Sequence, residues 1–267
     1  MNTFAMLPAC APPNGRTGSG KTTMPLAPSR ALVDLDAYAH NLEAVRRLAG
    51  PAAGIIAAIK ADAYGHGLLP VARRALDCGV KMLGVATVGE GVRLREAGIE
   101  APVLVLFQPD TDALEAVIEH KLTLMLADVA TAETLGEMAH RTNRVVRVHC
   151  QVDSGMGRQG FNLETAAQDI QFLTRISHID IEGIATHFPS AEKPDEPFTY
   201  NQIKQFKQVL KQLDKQGIPY EMAHAANSAA IVNYTGSIFD LVRPGLMTYG
   251  VWPSTAPVVP GMIRPVL

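Results

Sequence analysis

The chain has 267 residues, 47% apolar and 19% charged, with a formal net charge of −2. That balance excludes a broad nucleic-acid footprint, which needs a clustered basic excess, while the length admits one large domain or two small ones. No apolar run reaches the roughly 18 residues of a membrane span. The scattered cysteines Cys10, Cys78 and Cys150 form no CxxC pair, so neither a disulfide framework nor a metal site is expected and a reducing cytoplasm is the default.

Residues 1–29 contain no acid and carry Pro12, Pro13, Pro25 and Pro28. Such a stretch spoils an amphipathic targeting helix and reads as a disordered tail. Within it, "GRTGSGKT" from Gly15 to Thr22 fits G-x-x-x-x-G-K-[ST] at every position. A phosphate-binding loop also needs a buried strand before the glycines and a helix after the Lys-Thr pair. Prolines on both sides deny it the strand and the helix. Without a helix N-terminus there is no row of free N–H groups to hold phosphate. Lys21 is therefore read as tail, and a nucleotide hydrolase is the third-ranked function.

From Ala31 the pattern changes to alternating strands and helices. "ALVDL" reads as a first strand, followed by a helix that spaces Leu42, Val45 and Leu48 on one face and stops at Gly50. "GIIAAIKAD" precedes a helix near 68–78, "MLGVAT" one over 88–97, "PVLVLF" one over 111–120, and "LTLML" one over 129–140. "VVRVHCQVD" leads to a helix over 163–175, and "IDIEGIATHF" to the long helix in "FTYNQIKQFKQVLKQLDKQG". "YEMAHAAN" comes last, before a short helix from Ser228. Apolar strands separated by amphipathic helices require a parallel sheet covered by helices. The units number eight, so the expected fold is α/β, a (β/α)8 TIM-type barrel over residues 30–250. An open doubly wound sheet is the alternative, but no glycine-rich dinucleotide turn follows the first strand.

In such a barrel the chemistry sits where strands end, at the C-terminal face. The second predicted strand ends in "AIKADAYGHG", which puts Lys60 behind Ile55, Ile56 and Ile59. Desolvation lowers a lysine's pKa, and a neutral amine can form a Schiff base with an aldehyde. The bland alternative is a surface lysine closing a strand. The loop that follows, with Tyr64, Gly65, His66 and Gly67, is polar and tightly turned, as a ligand site requires.

"AIKADAYGHG" resembles the signature of the alanine racemase family, in which this lysine holds pyridoxal 5′-phosphate (PLP) as a Schiff base. The resemblance runs from about Ala31 to the C-terminus and implies a PLP-dependent isomerase that interconverts L- and D-alanine, supplying D-alanine for peptidoglycan. It implies a cytoplasmic homodimer, with no nucleic-acid or membrane partner. "VDSGMGRQGF" is similar to the family segment whose arginine, here Arg158, touches the cofactor's phenolic oxygen and the substrate carboxylate. A planar guanidinium suits that role because it grips a carboxylate through two hydrogen bonds. By the same resemblance His187 in "ATHF" supports Arg243 in "DLVRPGLMTYG", and Arg243 faces the pyridine nitrogen. Being always charged, Arg243 keeps that nitrogen largely unprotonated and favours reprotonation at Cα. For the phosphate, the resemblance implies Tyr64, Ser228 with Asn227 beside it, and the N–H groups of Gly245 and Leu246. An Asn-Ser pair is also a helix cap, and one N-terminus can serve both uses.

Two positions depart from the family pattern. Gln151 stands where many members carry a carbamylated lysine, leaving an amide as its only means of bonding Arg158. The family's second catalytic base is a tyrosine of a β-domain, and residues 251–267 read as only the beginning of that domain. Tyr249 is the last tyrosine. The expectation is a truncated racemase barrel, inactive or limited to one base. The competing function is a single-domain PLP carrier without amino-acid turnover.

Overall fold

The computed structural model describes residues 31–267, and the tail with its "GRTGSGKT" pattern lies outside them. The first described helix is α1 (Leu35–Ala49). Asp34 caps it, its carboxylate accepting from the N–H groups of Asp36 and Ala37, and Gly50 ends it with φ of 84°. Then follow β1 (Gly54–Ala58), a helical turn α2 (Lys60–Tyr64), α3 (Leu68–Asp77), β2 (Met82–Val85), α4 (Val88–Glu96) and β3 (Val103–Val105). A single 3-10 turn leads into α5 (Leu114–Glu119), followed by β4 (Thr123–Leu126), α6 (Val129–Arg141), β5 (Val146–Asp153), a short β6 (Phe161–Asn162) and α7 (Ala166–Leu173). The remainder is β7 (Ile179–Ala185), α8 (Pro197–Lys215), β8 (Met222–Asn227), α9 (Ser228–Asn233) and β9 (Leu241–Arg243).

The sheet runs β4-β3-β2-β1-β9-β8-β7-β5-β6, and a further β4–β5 pairing closes it. All pairings are parallel. With β6 added at the side of β5, the closed ring has eight strands, as the sequence leads one to expect.

One strand of that expectation is corrected. "ALVDL" is not a strand: residues 31–34 have no regular structure, and Asp34 is a helix cap. The eighth strand is instead Leu241–Arg243, only three residues long. Helix α1 fills the eighth helical place although it precedes β1. Its buried Asn41 donates to the carbonyls of Thr248 (3.1 Å) and Arg264 (2.8 Å) and accepts from the Arg264 N–H (2.7 Å). The strand count is preserved, but each site loop follows a strand one place earlier than predicted.

Strand residues alternate between two cores. Ile55 and Ala57 pack outward under the helices, whereas Ile56, Met82, Leu104, Met125, Ala185 and Leu241 fill an apolar layer inside the ring. The stripe Ile203, Phe206, Leu210 and Leu213 of α8 is buried, as helical packing requires. Of the described cysteines, Cys150 is a buried free thiol. No described helix is long and apolar enough to cross a membrane.

Candidate active site

At the C-terminal rim of the ring, a cavity of about 420 Å³ is lined by Lys60, Tyr64, Phe107, Arg158, His187 and Arg243 among others. Asn227, Ser228, Gly245, Leu246 and Gln151 line it too, so every residue expected to have a catalytic or cofactor-binding role lines this one space, whereas Gly65, His66 and Gly67 of the loop after Lys60 do not. The barrel explains why: Lys60 follows β1, Arg158 follows β5, His187 follows β7, and Asn227 and Arg243 end β8 and β9.

Lys60 opens α2, a turn of unusual hand. Ala61, Asp62, Ala63 and Tyr64 all have φ between 52° and 56°, a left-handed conformation that costs L-residues roughly 1–2 kcal/mol each. Neighbouring groups hold it. The Asp62 N–H donates to Glu90 (3.1 Å), the Leu68 N–H donates to Asp62 (3.0 Å), and Glu90 also caps α4 by accepting from Ala86 and Thr87. Burial, then the charge of Arg158, lowers the Lys60 pKa from its ordinary value; Glu90 pulls weakly the other way, and Arg243 adds to the lowering.

Arg158 stands exposed at the cavity's rim. Its loop is shaped by Asp153, whose carboxylate accepts from the N–H groups of Gly155, Met156 and Gly157. Phe107 lies between the two cations, 5.3 Å from Lys60 Nζ and 4.6 Å from Arg158 Cζ. Gln159 fixes that arrangement: it donates to the Leu106 carbonyl (2.9 Å) and accepts from the Gln108 N–H (3.3 Å), one bond on each side of Phe107. No hydrogen bond joins Gln151 to Arg158 among the described residues, so the amide does not take over a carbamate's task by direct contact.

The phosphate-type donors are arranged differently from the sequence expectation. The Gly245 N–H is committed to Ser228 Oγ (2.8 Å), which also accepts from Met247 N–H (3.2 Å). Having accepted twice, the Ser228 hydroxyl keeps its own proton to donate. Asn227 acts as the cap of α9, accepting from Ala230 N–H and donating to the Phe188 carbonyl. Tyr64 stacks on Tyr249 with ring centroids 4.8 Å apart.

Arg243 is buried, and burial followed by the charge of Arg158 lowers its pKa to about 10, so it stays charged at neutral pH. One terminal nitrogen donates to the ring and the carbonyl of His224; the other donates to the carbonyls of Thr186 and Ala225 and to His187 Nδ1 (3.3 Å). Among the described residues only Nε–H is left without a protein acceptor, and Arg243 lines the cavity. Burial and the charges of Arg243, Arg158 and Lys60 lower the His187 pKa to about 3, so its ring is neutral and able to accept.

The profile of "Alanine racemase, N-terminal domain" matches residues 33–253. The chain belongs to the alanine racemase family. Among curated members, it is 39% identical over 228 residues to the alanine racemase of Desulforamulus reducens, covering 85% of this chain and 62% of that protein. It is likewise 39% identical over 240 residues to the alanine racemase of Halothermothrix orenii, covering 90% of this chain and 63% of that one. Among solved structures, a Clostridium difficile alanine racemase in complex with cycloserine matches with a TM-score of 0.86 at 35% identity, over 90% of this chain and 66% of that chain. A Bartonella henselae alanine racemase with covalently bound pyridoxal phosphate matches with a TM-score of 0.78 at 27% identity, over 90% and 65% of the two chains. The chain thus spans a little under two thirds of these relatives.

Phe107, Gln108 and Gln159 were missed from the sequence. The signal was available, because Phe107 and Gln108 directly follow a predicted barrel strand, where site residues are expected.

Proposed function

We propose that this chain is the cofactor-binding barrel of an alanine racemase, holding PLP at Lys60 and acting on L- and D-alanine. The observation that carries the proposal is one cavity joining three things: a lysine whose charged form is disfavoured, a hydroxyl-lined recess at Ser228 and Gly245, and an arginine with one free N–H. The donor set fits PLP. Ser228 and Tyr64 offer hydroxyls to a phosphate, and Gly245 leaves room beside the Tyr64 hydroxyl that a larger residue would fill.

When bound, PLP supplies an electron sink that makes the Cα proton of an amino acid labile. Lys60 anchors the cofactor and, as a base, holds or delivers a proton at Nζ on the D-alanine face. Arg158 binds the substrate carboxylate. Arg243 would face the pyridine nitrogen and, being cationic, would keep it from taking a proton. His187, neutral, accepts from Arg243 and steadies it. A cytoplasmic homodimer feeding peptidoglycan synthesis, with residues 30–250 as barrel and 251–267 leading into a further domain, completes the reading.

The test is incubation with PLP, borohydride reduction and peptide mapping. The expected result is a stable label on Lys60 alone; a label on another lysine, or none, overturns the assignment.

A further inference from the structure

Behind Arg243, a chain of polar side chains runs into the barrel from the cavity rim. His224 of β8 accepts from Arg243 at Nδ1, its Nε2 lies 2.7 Å from His149 Nδ1 on β5, and His149 Nε2 lies 3.0 Å from Glu182 on β7. His149 and His224 are fully buried, and Glu182, largely buried itself, lies 3.7 Å from the exposed Arg147.

The backbone is built around this chain. Pairing steps from Val148–Ile181 to His149–Gly183, so Glu182 has no partner across the ladder. A bulge of that kind re-aims a side chain. Gly183 is required next to it: a β-carbon there would come within 2.7 Å of His149 Nδ1. A second register shift separates His224 from Asn227.

The direction of the protons follows from the two ends. A guanidinium only donates and an ionised carboxylate only accepts. Arg243 therefore requires His224 Nδ1 to be bare, which leaves the proton on Nε2. That proton points at His149 Nδ1, which must be bare in turn, so His149 donates from Nε2 to Glu182. Reversing any link would set donor against donor. The carboxylate end agrees, because the His149 hydrogen bond is the largest influence holding Glu182 below the usual carboxylate range.

We propose that Glu182, acting through His149, is a remote positioning residue: it fixes the tautomer of His224, which holds one terminal nitrogen of Arg243 while Thr186, Ala225 and His187 hold the other, leaving Nε–H for a ligand in the cavity. The consequence for PLP rests on the function proposed above; the tautomers do not. Loss of the carboxylate frees His149 to move its proton to Nδ1. His224 must then carry a proton facing Arg243, and the guanidinium is displaced.

The experiment is long-range proton–nitrogen NMR of the imidazole rings in the 267-residue chain, without added ligand, followed by PLP titration. The expected result is a neutral Nε2–H tautomer at both His149 and His224, kept in Glu182→Gln, whose amide oxygen still accepts, and lost in Glu182→Leu. PLP affinity should fall about tenfold in Glu182→Leu, by analogy with other supporting hydrogen-bond partners, and be largely rescued in Glu182→Gln. A proton on Nδ1 of either ring in the unaltered chain overturns the proposal even if the leucine variant fails to fold. So does a folded Glu182→Leu with unchanged tautomers. Correct tautomers with no PLP binding would instead refute the cofactor assignment and leave the relay standing.

Discussion

The hydroxyl of Tyr64 lies 2.5 Å from where a β-carbon on Gly245 would stand, with the ring's Cζ 3.2 Å from the same point. A β-carbon on Gly245 therefore has no room beside Tyr64. Gly245→Ala should push Tyr64 off its stack on Tyr249. Overpacking of this kind costs about 1–3 kcal/mol, and PLP affinity measured by titration should weaken by about one order of magnitude. Unchanged affinity would show that Tyr64 takes no part in the site.

Arg158 and Lys60 are coupled through charge. Burial, then Arg158, keeps the lysine pKa below its ordinary value, so removing the guanidinium in Arg158→Gln should raise it. The pH profile for covalent PLP attachment, followed by absorbance, should move to higher pH. Stability carries the same sign. The unfolded chain binds this proton more tightly, so stability rises as pH climbs from the folded pKa toward the ordinary lysine range. That slope should shrink in the variant.

Glu90 joins the left-handed turn behind Lys60 to the start of α4. Glu90→Ala removes a capping-box partner and leaves Asp62 N–H without its acceptor. Hydrogen bonds to charged groups contribute about 1.5–3 kcal/mol, so urea unfolding should show a loss of about 2 kcal/mol. A loss under about 0.5 kcal/mol, within the range of ordinary surface changes, would mean that the turn is held by other contacts.

The assignment of Lys60 to one substrate face has a direct readout. In deuterated solvent, the PLP-loaded chain should exchange the Cα proton of D-alanine faster than that of L-alanine. A PLP carrier would exchange neither. Equal exchange of both would require a second base within these residues.

The strand–helix rhythm was legible because parallel barrel strands are apolar on both faces and their helices on one. Lys60 was legible because ten consecutive residues carry its pattern. Arg243 was harder: its strand is only three residues long, too short for any periodicity, and the count was completed with a false strand at Ala31. His149, Glu182 and His224 were passed over because each sits singly in a different strand, and only closure of the ring unites them. Their common signal was a polar residue at an inward position of a strand expected to be apolar throughout. Leu246 and Gly245 were chosen for their N–H groups, but only folding shows that Ser228 already occupies one of them.

The bonds from Asn41 to Arg264, and from the Asp34 N–H to the Val266 carbonyl, fasten the start of the described chain to its end. During synthesis α1 can meet α3 early, through Arg74 and Asp36, but the partners of Asn41 arrive only when residues from Thr248 onward leave the ribosome. The ring itself closes late, because β1 pairs with β9. The same junction makes the barrel a candidate for circular permutation: a short linker joining the two ends, with new termini opened in a surface loop, should retain the ring and its cavity.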